Sequence, residues 1–393
     1  MRIQIVDPSA YTPPYDHALS AALARAGHDV ELVTSRFPYG PVPREDGYRV
    51  TEAFYRLAAR RQARARGGAG EDGPGGVATV PGGRGRTALK LVEHVPDMLR
   101  YRRHAGAADV VHWQWLPVQP LDVHLLPGRR GGRRPRVLTA HDVLPREPRP
   151  GQIAATRRLV RKMDAVVVHS QHGAKRLRDE LGAAAERVEV IPHGAFDYLT
   201  RLPEERPLPD ELAAVEGPVV LCFGLVRPYK GVDVLLEAYR EVERAELWVV
   251  GMPRMPLEPL RALAARALGT VRFVPRFITD PEIPAYFRRA DIVALPYREI
   301  DQSGVLYTAL AFGKPLLLSA VGGFAELAEE HGAARLVPPE DPQALASALT
   351  ELLADPAARE ELGRAAAAAA AGPYSWDRVA ERTAALYRRL LGG

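Results

Sequence analysis

The sequence predicts an α/β protein of two domains, each built on a doubly wound, parallel β-sheet. Short apolar runs alternate with helical patterns along the whole chain, which is typical of βα units. The length of 393 residues exceeds what one hydrophobic core usually supports. The proline-rich segment RLPEERPLPDE at Arg201–Glu211 predicts an extended linker, and the alternation of strands and helices restarts after it. We expect domains at residues 1–200 and 201–375, with the carboxyl ends of their strands facing each other across a cleft.

The first half contains six apolar runs that predict buried parallel strands. They are Ile3–Val6, Val30–Val33, Val110–His112, Val137–Ala140, Ala165–His169 and Val188–Ile191. A helix is expected between the first two, at Ala18–Ala26. The Gly/Arg-rich stretch Arg64–Arg86 has little apolar content to pack, so we expect a mobile loop there.

The second half repeats the pattern with six further predicted strands. They are Val219–Phe223, Glu246–Val250, Val271–Val274, Ile292–Leu295, Pro315–Leu318 and Arg335–Val337. The alanine run Arg364–Ala371 is helical by propensity, and a final amphipathic helix is expected from Trp376.

Composition limits the class of protein. The single cysteine, Cys222, excludes a disulfide framework and a cysteine-rich metal site, and it lies in an apolar strand where a core role is expected. No run of 18 apolar residues could span a bilayer. Because the first residues enter a strand without the pattern of a secretory signal, we expect a cytoplasmic protein.

The net charge of +5 is concentrated in three basic clusters. These are RLAARRQARAR from Arg56, RYRR from Arg100 and RRGGRRPR from Arg129. They lack the interleaved aromatic residues typical of nucleic-acid binding, which argues against a nucleic-acid partner. An anionic membrane surface or a negatively charged acceptor fits them better, and solvated loops without a partner are the alternative.

The segment LCFGLVRPYKG at Leu221–Gly231 predicts a phosphate site. It places Gly224, Arg227 and Lys230 at a turn between a strand and a helix predicted at Val232–Arg240. Glycine permits close approach of the backbone, the cations match phosphate charge, and the helix start adds free N–H groups. It is not a Walker loop, because no GxxxxGK[ST] string occurs in the sequence.

A second anion site is predicted after the strand Ile292–Leu295. Here Ser303-Gly304-Val305 begins a helix that extends to about Phe312 and stops at Gly313-Lys314-Pro315. Two such sites on one strand edge favour a clamp for a diphosphate, whose oxygens need several donors. An ordinary serine N-cap would explain the helix but not the second site beside it.

The whole chain resembles the family 4 glycosyltransferases of the GT-B fold. The matching motifs occur in order along both halves: GHDVELVT at Gly27, TAHD at Thr139, VVVHS at Val166, VIPHG at Val190, GLVRPYKGVDVLLEAY at Gly224, FVPRFITD at Phe273, ADIVALPY at Ala290, QSGVLYTALAFGKP at Gln302, VGGFAE at Val321 and YSW at Tyr374. The resemblance implies two Rossmann-like domains and a C-terminal helix, 376–393, that crosses back to complete the first. It also implies sugar transfer from a nucleoside diphosphate, with retention of anomeric configuration and without a metal.

Carried over by motif, the resemblance assigns Arg227 and Lys230 to the donor diphosphate and to catalysis. His141, with Asp142, falls where the family has a histidine near the transferred sugar, so His141 is also a predicted catalytic residue. The donor-side residues that it implies are Gly224, Arg227, Lys230, Arg276, Phe277, Glu299, Asp301, Gln302, Ser303, Gly304, Val305 and Thr308. Of these, Arg276 and Phe277 lie where the family holds the nucleobase largely through backbone contacts.

Two departures from the family pattern stand out. The glutamate expected on the ribose falls on Thr308, which lowers the expected ribose affinity by roughly 1–2 kcal/mol, and the glutamate expected on the donor sugar falls near Glu299 or Asp301. The glycine pair expected after the first strand is replaced by Thr12-Pro13-Pro14-Tyr15-Asp16. Tyr15 and Asp16, with His141 and Asp142, are therefore the residues predicted on the acceptor side.

The predicted reaction needs cations and helix N-termini to stabilise the departing diphosphate, since the sequence has no DxD pair for a divalent metal. We expect a front-face mechanism with no covalent nucleophile, no cofactor and no metal. The alternatives are an inactive nucleotide-sugar binding protein, an epimerase and a phosphorylase. The sugar, the base and the acceptor stay open: glycan or polysaccharide, lipid-linked glycan, and metabolite all fit. Peripheral contact with the inner face of an anionic membrane is expected from the basic clusters.

Overall fold

The structure, a computed structural model, describes residues 1–37, 42, 46–67, 84–128, 134–144, 150–243 and 245–392. The chain divides into two compact units, residues 1–192 with 376–393 and residues 193–375. Within the described residues, no helix is both long and apolar enough to cross a membrane.

Unit 1 contains a parallel sheet with helices on its connections. Its strands are β1 (Arg2–Asp7), β2 (Asp29–Ser35), β3 (Arg49–Phe54), β4 (Val110–Trp113), β5 (Arg136–Thr139), β6 (Ala165–Val168) and β7 (Val188–Val190). Its helices are α1 (Pro13–Arg25), α2 (Arg56–Gly67), α3 (Arg84–His104), α4 (Gln119–Leu125), α5 (Gln152–Arg161), α6 (Gln171–Leu181) and α15 (Trp376–Leu391). The strand order is β3-β2-β1-β4-β5-β6-β7, so the direction of winding reverses between β1 and β4.

The C-terminal helix α15 packs on α1, as predicted. Arg25 Nη2 lies 2.9 Å from Asp377 Oδ1, and the Trp376 ring meets Tyr15 at a centroid distance of 5.1 Å. Deeper in the unit, Tyr387 Oη lies 2.6 Å from His112 Nδ1. The last helix is therefore part of the unit 1 core.

Unit 2 repeats the architecture. Its strands are β8 (Val219–Phe223), β9 (Glu246–Val250), β10 (Val271–Val274), β11 (Ile292–Leu295), β12 (Leu316–Ser319) and β13 (Ala334–Val337). Its helices are α7 (Asp210–Ala213), α8 (Val232–Ala238), α9 (Glu258–Ala264), α10 (Ile283–Arg289), α11 (Gly304–Ala311), α12 (Gly323–His331), α13 (Pro342–Ala354) and α14 (Pro356–Ala371). The order β10-β9-β8-β11-β12-β13 is parallel throughout and reverses between β8 and β11. Both sheets confirm the predicted doubly wound class.

The apolar runs that predicted the unit 2 strands pack into cores on both faces of the sheet. Trp248 and Phe287 are fully buried on one face, and Leu235 and Leu349 on the other. Cys222 is a buried free thiol among these residues, and burial raises its pKa to about 11. A core role for this cysteine agrees with the sequence.

Several local predictions need correction. The sequence missed β3, and α1 begins at Pro13 rather than at Ala18 because proline fits the first turn of a helix. The stretch Arg64–Arg86 was expected to be a loop, but its ends belong to α2 and α3, and residues 68–83 lie outside the described residues. In the third basic cluster, residues 129–133 also lie outside the described residues. Arg134 of that cluster is buried, and its Nη2 donates to the Gly106 carbonyl at 2.8 Å.

Candidate active site

The turn between β8 and α8 carries the two predicted cations. Lys230 has only 7% of its surface exposed, and its Nζ lies 5.0 Å from the centre of the Tyr297 ring. Arg227 is half-buried, and its Nε is buried without a hydrogen-bond partner among the residues described. A buried donor of this kind is costly unless a ligand satisfies it. Both cations therefore belong to a partly desolvated turn, where their charges act strongly on an anion.

Gly224 shows that the two predicted anion sites converge. Its φ of +100° is one that other residues rarely adopt. A Cβ atom built at this position would lie 2.8 Å from Lys230 Nζ and 3.0 Å from Val305 Cγ2. Since Val305 is in the first turn of α11, the turn after β8 and the start of α11 lie against the same glycine.

A second glycine fixes the two turns to each other. Gly231 has a φ of +63°, and a Cβ there would lie 2.0 Å from the carbonyl oxygen of Pro296, which directly follows β11. The backbone N–H of Arg298 donates to the Tyr229 carbonyl at 2.8 Å, and its guanidinium pairs with Asp233 at 2.7 Å. These contacts hold the loops after β8 and β11 together at the point where the winding reverses, which is where open α/β sheets bind ligands.

The start of α11 supplies N–H donors beside Lys230. Ser303 is its N-cap residue, and Ser303 Oγ lies 3.3 Å from Tyr297 Oη. The first amides of an α-helix have no acceptor within the helix, so those of Gly304 and Val305 are available to an anion. Gln302 Oε1, immediately before the helix, is buried and has no partner in the described chain.

The remaining donor-side residues of this loop differ in accessibility. Thr308 is buried, and its hydroxyl donates to the Gly304 carbonyl at 2.9 Å. Because its proton is used in this bond, the Thr308 oxygen can only accept a hydrogen bond from a ribose hydroxyl. Of the two carboxylates predicted near the donor sugar, Glu299 is exposed and Asp301 is buried.

Arg276 and Phe277 follow β10, two strands away from β8 in the sheet. The Arg276 guanidinium pairs with Glu282 at 2.6 Å, so its charge is balanced within unit 2. Phe277 exposes 40% of its surface. This loop therefore offers its backbone and an aromatic ring to a ligand.

In unit 1, Tyr15 and Asp16 lie beneath the loop that follows β1. Both are in the first turn of α1 and almost fully buried. Burial, with the nearby Asp7 carboxylate, raises the pKa of Asp16 well above its ordinary value. Asp7 itself accepts the backbone N–H groups of Ser9, Tyr11 and Thr12 at 2.6 to 3.3 Å. Asp16 Oδ1 accepts the Thr12 hydroxyl at 3.3 Å and so helps to fix the loop, and neither Tyr15 nor Asp16 forms exposed surface.

His141 follows β5 and is 2% exposed. Its Nε2 lies 3.1 Å from Gln114 Oε1, and its Nδ1 lies 3.3 Å from His169 Nε2. The Trp115 ring stacks on it at 5.2 Å with an interplanar angle of 16°. Asp142, the next residue, is half-buried. Both ring nitrogens of His141 therefore have partners inside unit 1.

Two protein-family models match most of the chain. The model described as Glycosyltransferase Family 4 matches residues 15–195, and the model described as Glycosyl transferases group 1 matches residues 217–355. The chain belongs to the family 4 glycosyltransferases.

The curated relatives of this glycosyltransferase agree. A D-inositol 3-phosphate glycosyltransferase of Kineococcus radiotolerans is 27% identical over 403 residues, which cover 94% of this chain and 88% of the relative. One of Geodermatophilus obscurus is 31% identical over 258 residues, covering 61% of this chain and 56% of the relative's length. An alpha-D-kanosaminyltransferase of Streptomyces kanamyceticus is 28% identical over 245 residues, covering 60% of this chain and 63% of the relative.

Solved structures show the fold. Sucrose-phosphate synthase from Thermosynechococcus elongatus matches with a TM-score of 0.72 and 21% identity, covering 100% of this chain and 99% of that one. The Anabaena protein HepE, solved in complex with UDP-glucose, matches with a TM-score of 0.68 and 18% identity, covering 99% and 100%. These likenesses confirm the GT-B fold of the glycosyltransferase.

The sequence did not single out several residues that the structure brings to these loops. Tyr297 contacts Lys230 and Ser303, and Trp115, Gln114 and His169 surround His141. Only their position in the sequence could have pointed to them. Each lies one or two residues after the end of a buried strand: Gln114 and Trp115 after β4, His169 after β6 and Tyr297 after β11.

Proposed function

We propose that this glycosyltransferase moves a sugar from a nucleoside diphosphate to an acceptor hydroxyl, with retention of anomeric configuration and without a metal. We assign the donor to residues 201–375 and the acceptor to residues 1–200 with 376–393. The observation that carries the proposal is the convergence at Gly224 of the Lys230 ammonium and the first turn of α11. Neighbouring N–H groups and cations on one strand edge suit a diphosphate.

The chemistry follows from that placement. When the bond between the sugar C1 and the diphosphate oxygen breaks, its electron pair goes to the diphosphate. Lys230, Arg227 and the amides of α11 stabilise this developing charge from a partly buried turn, where such contacts act more strongly than in water. The acceptor oxygen then bonds to C1 on the same face, and its proton goes to the departing diphosphate. The predicted sugar contact of His141 stays a prediction.

Donor binding and donor breakdown test this function separately. A thermal-shift screen with UDP, GDP and ADP tests binding, because a ligand of the native state raises the melting temperature. Slow hydrolysis of the matching nucleotide sugar in water, with and without EDTA, tests the chemistry. We expect one nucleotide to stabilise the protein and EDTA to leave hydrolysis unchanged. Binding without hydrolysis or transfer would instead favour the inactive binding protein. Loss of activity with EDTA would refute metal independence.

The stereochemistry can be read from the product. Proton NMR of the anomer first formed on hydrolysis distinguishes retention from inversion before mutarotation. We expect the configuration of the donor. The opposite anomer would exclude the front-face mechanism.

We also propose peripheral contact with an anionic bilayer through α2 and α3. Leu57, Leu91 and Val92 are exposed by 55%, 48% and 71%, and the exposed Arg60 and Arg61 are on the same helix as Leu57. Exposed apolar side chains beside cations suit the interface of a charged membrane.

Vesicle flotation tests the membrane contact. We expect binding to vesicles with phosphatidylglycerol, weaker binding to pure phosphatidylcholine, and loss of both in the double variant Leu91→Ser, Val92→Ser. A matched control is Leu268→Ser, since Leu268 is 61% exposed in unit 2. Equal flotation with neutral and anionic vesicles would refute the contact.

A further inference from the structure

A row of aromatic rings crosses the carboxyl edge of the unit 1 sheet where the winding reverses. Tyr11 is in the loop after β1, Trp115 is in the loop after β4, and these strands are neighbours in the sheet. Loops on either side of such a reversal form the crevice in which open α/β sheets bind ligands. The row therefore occupies the natural binding position of unit 1.

The rings are in contact and graded in exposure. The centroids of Tyr11 and Trp115 are 5.4 Å apart at 65°, and Trp115 stacks on His141. Tyr11 is 61% exposed, Trp115 is half-buried and His141 is buried. Trp115 Nε1 also donates to Thr12 Oγ1 at 3.0 Å. Trp115 is thus held from three sides while part of its surface stays accessible.

The base of the row is fixed as well. His169 Nδ1 lies 3.0 Å from the Ile191 carbonyl, which only accepts, so this nitrogen carries the proton. Burial lowers the pKa of His169 to about 4, so this ring is uncharged at neutral pH, and its Nε2 lies 3.3 Å from His141 Nδ1. Contacts at both ring nitrogens, with His169 Nε2 and Gln114 Oε1, hold the His141 ring in place, and the Trp115 ring stacks on it.

The chemistry of these loops selects the ligand. Residues 8–12 and 114–118, PSAYT and QWLPV, contain no lysine, arginine or carboxylate, so they do not primarily recognise charge. Half-exposed aromatic faces attract the slightly positive C–H groups on one face of a saturated ring. The half-buried Ser9 is in the same loop as Tyr11 and adds a hydroxyl for the ring's own hydroxyls.

We propose that Tyr11 and Trp115 form an acceptor subsite for a six-membered polyhydroxylated ring, a pyranose or a cyclitol. That this ring is the sugar acceptor rests on the proposed function. The ring stacks on the aromatic row and leaves its hydroxyls at the rim.

Tryptophan fluorescence reads this subsite directly. The protein has four tryptophans, and Trp113, Trp248 and Trp376 are at most 5% exposed, so Trp115 is the one that acrylamide reaches. We expect methyl α-D-glucopyranoside or myo-inositol at 1–100 mM to protect it, roughly the weak range of small ligands, and the open chain of ribitol not to. Which ring protects better distinguishes a pyranose from a cyclitol acceptor. Trp115→Phe should abolish the quenched component.

Matched variants test the role of the aromatic face. Tyr11→Leu should weaken ring protection by roughly 5–10-fold, whereas Tyr11→Phe keeps it within about twofold. Leu121→Ala, at an exposed position on α4, is the surface control. Wild-type protein that no ring compound protects, or equal protection in Tyr11→Leu, overturns the subsite. Thermal shifts with UDP report the donor site alone. If UDP does not stabilise the protein, that result counts against the proposed function, and the fluorescence test of the subsite still stands.

Discussion

Replacing Gly224 by alanine should weaken diphosphate binding more than it destabilises the fold. The added Cβ would lie 2.8 Å from Lys230 Nζ and 3.0 Å from Val305 Cγ2. Because carbon contacts are comfortable at about 3.5–4.0 Å, the ammonium must retreat by about 1 Å. A shift of that size takes a phosphate contact beyond hydrogen-bond length and costs about 1.5–3 kcal/mol, which corresponds to roughly 10–150-fold weaker UDP binding.

The alanine also strains the backbone, and Gly27→Ala isolates that part. Gly27 has a φ of +84° and no atom within 4 Å of its added Cβ. Both variants should lose about 1–2 kcal/mol of unfolding free energy from the left-handed conformation. Only Gly224→Ala should also lose UDP affinity.

Calorimetric titration of UDP and thermal unfolding of both variants make the measurement. A second substitution tests the cause, since Gly224→Ala should add little to the affinity loss of Lys230→Ala if both act through the ammonium. Contact of the diphosphate with Lys230 beside Gly224 is refuted if Gly224→Ala binds UDP as tightly as Gly27→Ala, or if the two losses in the double variant simply add.

Three further predictions concern turnover, the ribose and acid stability. Lys230→Ala should lower donor turnover by about 3 kcal/mol, or roughly 150-fold, as when a transition-state donor is lost; turnover like the wild type would defeat the assignment. Thr308→Val removes the hydroxyl that donates to the Gly304 carbonyl. The affinity for UDP should fall by about 1 kcal/mol, whereas the affinity for 2′,3′-dideoxy-UDP should stay unchanged. An equal loss for both nucleotides would exclude a ribose contact. Burial lowers the pKa of His112 to about 3, against about 6.5 in the unfolded chain, so the free energy of unfolding should fall by about 1.4 kcal/mol per pH unit below pH 6.5. His112→Gln should flatten that slope in thermal melts recorded from pH 7 to 4, and an unchanged slope would contradict the argument.

The alternation of apolar runs with helical patterns sufficed to predict twelve strands of the two sheets but not β3. Buried parallel strands are continuously apolar and stand out as short runs. The sequence of β3, RVTEAF, belongs to an edge strand that is only partly buried and mixes polar with apolar residues. Its pairing with β2 depends on the sheet that is already present, which no local pattern reveals.

The sequence singled out some residues of the loops after β8 and β11 but not the residues that they contact. Gly224, Lys230 and Val305 stood out because each follows a strand and carries a recognisable turn or helix start. The contact of Lys230 with Tyr297 depends on β8 and β11 being neighbours, although their ends are about seventy residues apart in the chain. Trp115 and Tyr11 meet for the same reason, because β1 and β4 are paired although their ends, Asp7 and Trp113, are far apart in the chain.

Among the described residues, two buried atoms of the predicted donor site, Arg227 Nε and Gln302 Oε1, have no hydrogen-bond partner. Arg227 Nε can only donate a hydrogen bond, and Gln302 Oε1 can only accept one. Phosphate oxygens serve mainly as acceptors, so a diphosphate group suits the arginine, whereas the glutamine oxygen needs a donor. A nucleotide sugar carries phosphate oxygens that accept and sugar hydroxyls that donate, so it can satisfy both Arg227 Nε and Gln302 Oε1. Since an unpaired buried polar atom costs about 1–3 kcal/mol, this pair favours the complete donor over its diphosphate fragment.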